Sequence, residues 1–120
     1  MRELISADQI AHRVQEMGAE ISRKYEGRVP IFVGILNGSF IFMADLLREV
    51  SIECEVDFIK MSSYEGKTSS GTLHLRKDIS SDVTGRDVII VEDIVDSGLT
   101  INFLKSRIED AGPSSVAVVS

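Results

Sequence analysis

The chain has 120 residues, enough for one domain that buries roughly two-thirds of the surface its unfolded form exposes. Its 43% hydrophobic content excludes a disordered chain, and its net charge of −6 and pI of about 4.8 argue against a nucleic-acid face, which needs clustered basic residues. A single cysteine, Cys54, rules out an internal disulfide. With no apolar run near the roughly 18 residues of a membrane span and no signal-peptide pattern, the expectation is a soluble, cytoplasmic protein.

Residues 6–25 read as an amphipathic helix, with Ile10, Val14, Met17 and Ile21 on one face and Ser6 and Gln9 spaced as a capping box. Pro30 to Leu36 is a short apolar run that stops at Asn37-Gly38, the pattern of a buried strand. Ser39 to Val50 is expected to be a largely buried helix, apolar on most faces. Ile52 to Phe58 alternates apolar and acidic residues, which predicts a strand with Glu53, Glu55 and Asp57 on a wet face and Cys54 inward. Residues 62–71, SSYEGKTSSG, are polar and small, and read as a functional loop. Thr72 to Arg76 is a candidate returning strand, and Asp87 to Val91 is a strong one, with Val88 to Val91 β-branched throughout. Leu99 to Ala111 is a helix carrying Ile101, Leu104 and Ile108 on one side, ended by Gly112-Pro113, and Val116 to Val119 is a last strand. Strands alternating with helices predict an α/β fold with a mostly parallel sheet, whose ligands bind outside the carboxyl ends of the strands.

Two strand ends are chemically unusual. Val88 to Val91 runs into Glu92 and Asp93, then Asp96, Ser97, Gly98, Leu99 and Thr100 at the start of a helix. A helix N-terminus offers free N–H groups and partial positive charge, Gly98 permits close approach, and the Ser97 and Thr100 hydroxyls can donate, so the turn suits a phosphate. It is not a Walker A loop, because its Gly-Lys-Ser/Thr ending is missing. Glu92 and Asp93 would repel a phosphate but suit sugar hydroxyls or a hard cation such as Mg²⁺. The ligand this describes is a ribose 5-phosphate. Leu36-Asn37-Gly38-Ser39 would share the same rim if the two strands are neighbours.

VIIVEDIVDSGLT (88–100) resembles the signature of the type I phosphoribosyltransferases, and most closely their 6-oxopurine branch, the hypoxanthine-guanine phosphoribosyltransferases. GILNGSFIFMADLLREV (34–50) resembles the family's pyrophosphate loop and following helix, and VDFIKMSSYEGKTSSG (56–71) its strand and flexible lid, in the same order and spacing. The resemblance implies a Rossmann-like core over residues 1–120 that binds 5-phosphoribosyl 1-pyrophosphate and transfers phosphoribose to a 6-oxopurine base, releasing pyrophosphate. It implies that Glu92 and Asp93 hold the ribose hydroxyls, directly or through Mg²⁺, and that residues 96–100 hold the 5-phosphate. Asp96 would lie near N7 of the purine as proton acceptor. Leu36, Asn37 and Gly38 would bind pyrophosphate through backbone N–H groups, and the lid at Ser63-Tyr64 would keep water from the reacting centre. A homo-oligomer, dimer or tetramer, is implied as well. Some members carry Lys at the position of Asn37 or of Leu99; neither difference touches binding through the backbone. Members also continue past the strand at 116–119 with residues that read and stack on the purine. The resemblance therefore implies that the C-terminal purine-binding part is absent and that the purine preference cannot be read.

Taken singly these signals have ordinary explanations. Paired carboxylates after a strand are commonly a solvated strand end, and His12 and His74 are expected as surface or core histidines. A bacterial receiver domain, which IVED also suggests, needs that strand near its start. A non-catalytic regulator or fragment that only binds phosphoribosyl pyrophosphate is the alternative to an enzyme.

Overall fold

The computed structural model describes residues 6–36, 39–64, 72–92 and 98–119. Helix α1 (Ala7–Lys24) starts where its capping residues dictate: the Gln9 N–H donates to Ser6 Oγ at 3.1 Å and the Ser6 N–H to Gln9 Oε1 at 2.9 Å. Its buried stripe is Val14, Met17, Gly18 and Ile21, while Ile10, at the open end, is exposed. Strand β1 (Ile31–Leu36) follows, then helix α2 (Phe40–Leu47), strands β2 (Glu55–Tyr64), β3 (Thr72–Lys77) and β4 (Asp87–Val91), helix α3 (Gly98–Glu109) and strand β5 (Ser115–Val119). Gly112, with φ of 83°, takes the left-handed conformation after α3, and its carbonyl accepts from the Gly85 N–H at 2.8 Å, tying the end of α3 to the turn before β4.

Among the described residues the sheet has five strands in the order β3-β2-β1-β4-β5, parallel except for the antiparallel β3 edge. Strands β1 and β4 lie inside it and are buried on both faces, which is why they read as continuous apolar runs rather than alternating ones. Phe32, Ile89 and Val91 face one core layer with Val14, Met17 and Ile21 of α1 and Met43 and Leu46 of α2. Ile31, Val33, Ile35, Val88 and Ile90 face the other with Leu104 and Ile108 of α3, against which Ile101 packs. The result is a three-layer α/β arrangement with the expected mostly parallel sheet.

Three expectations are corrected. Helix α2 is shorter than 39–50 and less buried. Met43 and Leu46 are inside, but Phe40 is 54% and Ile41 65% exposed, because one short helix can turn only one face to the sheet. Strand β2 begins at Glu55 and runs to Tyr64, so Ser62, Ser63 and Tyr64 pair with His74, Leu73 and Thr72 on a hairpin instead of belonging to a loop. The returning strand β3 is their ladder partner, so the sheet continues through these residues.

The third correction is Asp57. It does not sit on a wet face; it is 8% exposed while its neighbour Val56 is open to solvent. The segment after β3 folds over the α3-side face of β2, sending Ile79 and Val83 into that core layer. Its backbone donors then need an acceptor. Asp57 Oδ2 accepts from the Ser80 N–H at 2.7 Å and the Ser81 N–H at 2.8 Å, and Oδ1 accepts from the Phe58 N–H at 2.8 Å. Burial pushes the Asp57 pKa up, but these bonds, with one from the Ser81 hydroxyl, outweigh it and hold the carboxyl below its usual range.

Candidate functional site

The two strands that lead into the unusual ends are neighbours. Gly34 of β1 lies opposite Val91 of β4 in the parallel ladder, so Leu36, the last residue of β1, and Glu92, the first after β4, reach the same carboxyl rim. Parallel sheets bind ligands at such rims, where consecutive strands leave for helices on opposite faces. Here β1 leads to α2, in the layer with α1, and β4 leads to α3 in the other layer.

On the β1 side the turn is closed by Ser39, which is fully buried. Its hydroxyl donates to the Ile35 carbonyl at 2.6 Å and accepts from the Ile35 N–H at 2.8 Å, and its own N–H donates to the same carbonyl at 3.2 Å. Leu36 is thereby held in a tight return, half-buried, with α2 starting at Phe40. Asn37 and Gly38 lie outside the described residues. The resemblance implied 36–38 as the binding loop; Ser39, which the sequence placed on the same rim without a role of its own, ties the ends of this turn together. A small hydroxyl residue just before a helix is the signal that could have found it.

On the β4 side Glu92 is half-buried, and its N–H donates to the Val119 carbonyl at 3.0 Å, extending the β4–β5 pairing past the end of β4. The backbone at Glu92 is therefore fixed by the sheet. Asp93, Asp96 and Ser97 lie outside the described residues. Gly98, Leu99 and Thr100 form the first turn of α3, which carries no acidic residue there, so its N–H groups face no local carboxylate from that turn. Ser63 and Tyr64 end β2, two strands away from β4, at the start of the hairpin connection.

No group of three or more His, Cys, Asp or Glu residues converges among the described residues. Cys54 is half-buried in the α1–α2 core layer, and burial, then the charge of Glu53, push its thiol up, so it is poorly suited as a nucleophile. His12 is on the open face of α1 beside Glu16 at 3.3 Å. A groove of ≈ 360 Å³ between α1 and α2, lined by Ile10, Val14, Asp45 and Arg48 among others, includes none of the rim residues. No described helix is long and apolar enough to cross a membrane.

The family model described as the phosphoribosyl transferase domain matches residues 3–120. The chain is 40% identical over 118 residues to the hypoxanthine-guanine phosphoribosyltransferase of Bacillus subtilis, covering 98% of this chain and 66% of that protein. It is 43% identical over 118 residues to the bifunctional protein TilS/HprT of Listeria monocytogenes, of which it covers 18%. A solved hypoxanthine phosphoribosyltransferase from Staphylococcus aureus superposes with a TM-score of 0.90 at 33% identity, covering 98% of this chain and 65% of that one. The chain thus spans about two-thirds of the length of the single-function relatives and much less of the bifunctional one.

Proposed function

The chain belongs to the phosphoribosyl transferase domain family, and from that membership we propose that it forms the 5-phosphoribosyl 1-pyrophosphate-binding core of a Mg²⁺-dependent hypoxanthine or guanine phosphoribosyltransferase. The reaction replaces pyrophosphate at the anomeric carbon with the purine nitrogen, giving IMP or GMP. It is a purine-salvage step in an aqueous, cytoplasmic setting. The observation that carries the proposal is the Gly34–Val91 register, because it sets the tight turn at Leu36 beside Glu92 and the start of α3 on one rim.

Each element has a role that its chemistry supports. The N-terminal turn of α3 and residues 96–97 hold the 5-phosphate through N–H and hydroxyl donors. The turn at Leu36, Asn37 and Gly38 holds pyrophosphate through backbone donors, with Ser39 keeping its ends together. Glu92 and Asp93 face the ribose hydroxyls, and Asp96 accepts the purine proton. The hairpin ending in Ser63 and Tyr64 excludes water from the oxocarbenium-like transition state.

The donor set also fits Mg²⁺. A hard cation with one or two protein carboxylates, water and ligand oxygens is how this ion is usually held, and the fixed, half-buried Glu92 with Asp93 supplies that pattern without a larger acidic cluster. When bound, the ion neutralises the pyrophosphate and permits an anionic ligand beside two carboxylates. A homo-oligomer belongs to the proposal as well: the exposed neighbours Phe40 and Ile41, next to the pyrophosphate turn, form apolar surface suited to cover by a second copy.

Calorimetry tests the core of this reading. Phosphoribosyl pyrophosphate should bind with Mg²⁺ and lose most of its affinity in a chelator; equal affinity in both would remove Glu92 and Asp93 from the metal role. A second reading is binding of phosphoribosyl pyrophosphate without turnover. Nucleotide formation from hypoxanthine or guanine decides between the two.

A further inference from the structure

We propose that the segment 78–86 couples the β2–β3 hairpin to helix α3, so that the two open from the rest of the sheet as one unit; this holds whatever ligand the rim takes. The segment leaves β3 at Lys77 and enters β4 at Asp87. Between them it lies in the α3-side layer. Val83, 1% exposed, belongs to the cluster that holds Ile59 of β2 with Leu104 and Ile108 of α3, and Ile79 packs against that cluster. The segment forms neither helix nor strand, so its backbone donors need other acceptors. Aspartates supply them. Asp78 Oδ1 accepts from the Ile79 N–H at 2.8 Å and Asp82 Oδ1 from the Thr84 N–H at 3.1 Å, while Asp57 of β2 accepts from Ser80 and Ser81. Three contacts then tie the segment to α3 and the turn that follows it. Asp78 forms an ion pair with Arg107, the Thr84 hydroxyl donates to the Ala111 carbonyl at 3.3 Å, and the Gly85 N–H donates to the Gly112 carbonyl at 2.8 Å.

The hairpin has few other supports. Among the described residues β3 is an edge strand that pairs only with β2. The β1–β2 ladder ends at Lys60, so residues 61–64 pair only with β3. Lifting β3 with the segment after it uncovers Leu104 and Ile108. A helix is held mainly by the packing of its apolar face, so α3 loosens with them. The reverse follows by the same contacts: loosening α3 removes part of the layer against which Val83 packs, and a coupling between two parts of a molecule is reciprocal. Strands β1 and β4 keep a strand on each side and the α1–α2 layer on their other face. Units that open together in this way commonly coincide with supersecondary motifs. Residues 61–64 and the first turn of α3 both lie toward the carboxyl rim, so the coupling joins two sides of the candidate site through their shared base.

Residue-resolved native-state hydrogen exchange at low denaturant tests this on the intact protein. The slowest amides of β3 and those of Leu104 to Ile108 are expected to share one protection level and one denaturant slope, below the protection of Phe32 and Ile89 in the interior strands. Ser106→Gly, on the open face of α3, lowers helix propensity without touching the segment or the hairpin. It should quicken exchange in α3 and in β3 alike, by about twofold. Val83→Ala, at the buried joint, should quicken both sets by about tenfold. Separate protection levels or slopes for β3 and α3 in the unaltered protein overturn the coupling, as does a Ser106→Gly effect confined to α3 or unequal factors in Val83→Ala. None of these results bears on the proposed function, which ligand binding and nucleotide formation decide.

Discussion

The Ser39 hydroxyl and the Ile35 backbone form a reciprocal pair, Oγ donating to the carbonyl at 2.6 Å and accepting from the N–H at 2.8 Å. One buried side chain thereby satisfies both polar groups of a strand residue where the chain leaves the sheet. Ser39→Ala removes that partner and leaves the Ile35 N–H without its acceptor, a loss of about 1–3 kcal/mol. Chemical denaturation should show this destabilisation, and pyrophosphate binding should weaken more than binding of a purine 5′-monophosphate. Equal weakening of both would make Ser39 a general packing residue.

Asp57 predicts a pH dependence. Its folded-state pKa is depressed, so the unfolded chain binds the proton more readily, and stability rises with pH across the interval between the two values. The contribution is complete above the unfolded carboxyl pKa of about 3.9 and is lost as pH falls through the folded value. Asp57→Asn should flatten this part of the stability–pH curve and cost about 1–3 kcal/mol at neutral pH, since it weakens bonds made to a charged acceptor. Denaturation midpoints measured between pH 7 and pH 3 check the sign; a parallel curve for the variant would remove Asp57 as its source.

Gly18 is where α1 meets the segment after α2. A Cβ built there would lie 2.5 Å from the Glu49 carbonyl oxygen and 2.7 Å from its carbonyl carbon, both backbone atoms. Glycine to alanine in a helix interior is normally worth about 1 kcal/mol of stabilisation. Here the overlap should reverse the sign, and Gly18→Ala is expected to destabilise by about 1–3 kcal/mol. Thermal unfolding measures it directly, with a raised midpoint as the contrary result.

For the chemistry, Asp96→Asn should lower turnover about 10²–10⁴-fold while changing phosphoribosyl pyrophosphate affinity little. An amide keeps a hydrogen bond but does not take up the purine proton. Steady-state kinetics alongside ligand titration separate the two effects, and an unchanged kcat would leave Asp96 as a positioning residue.

Much of this protein is legible in its sequence because the information is local. The capping pair Ser6 and Gln9, the β-branched run 88–91 and the Gly112-Pro113 stop each act over a few residues, and each element lies near where its pattern puts it. The motif at 88–100 is likewise contiguous, and a family resemblance could be read from it. Tertiary structure decided the rest. The neighbouring of β1 and β4, and so the joining of Leu36 and Glu92 on one rim, is a pairing between segments more than fifty residues apart that no local pattern encodes. Asp57 reads as solvated because its strand alternates with acids. Only the fold brings the Ser80 and Ser81 N–H groups over it, and a buried carboxylate with backbone donors is stable where a bare one is not.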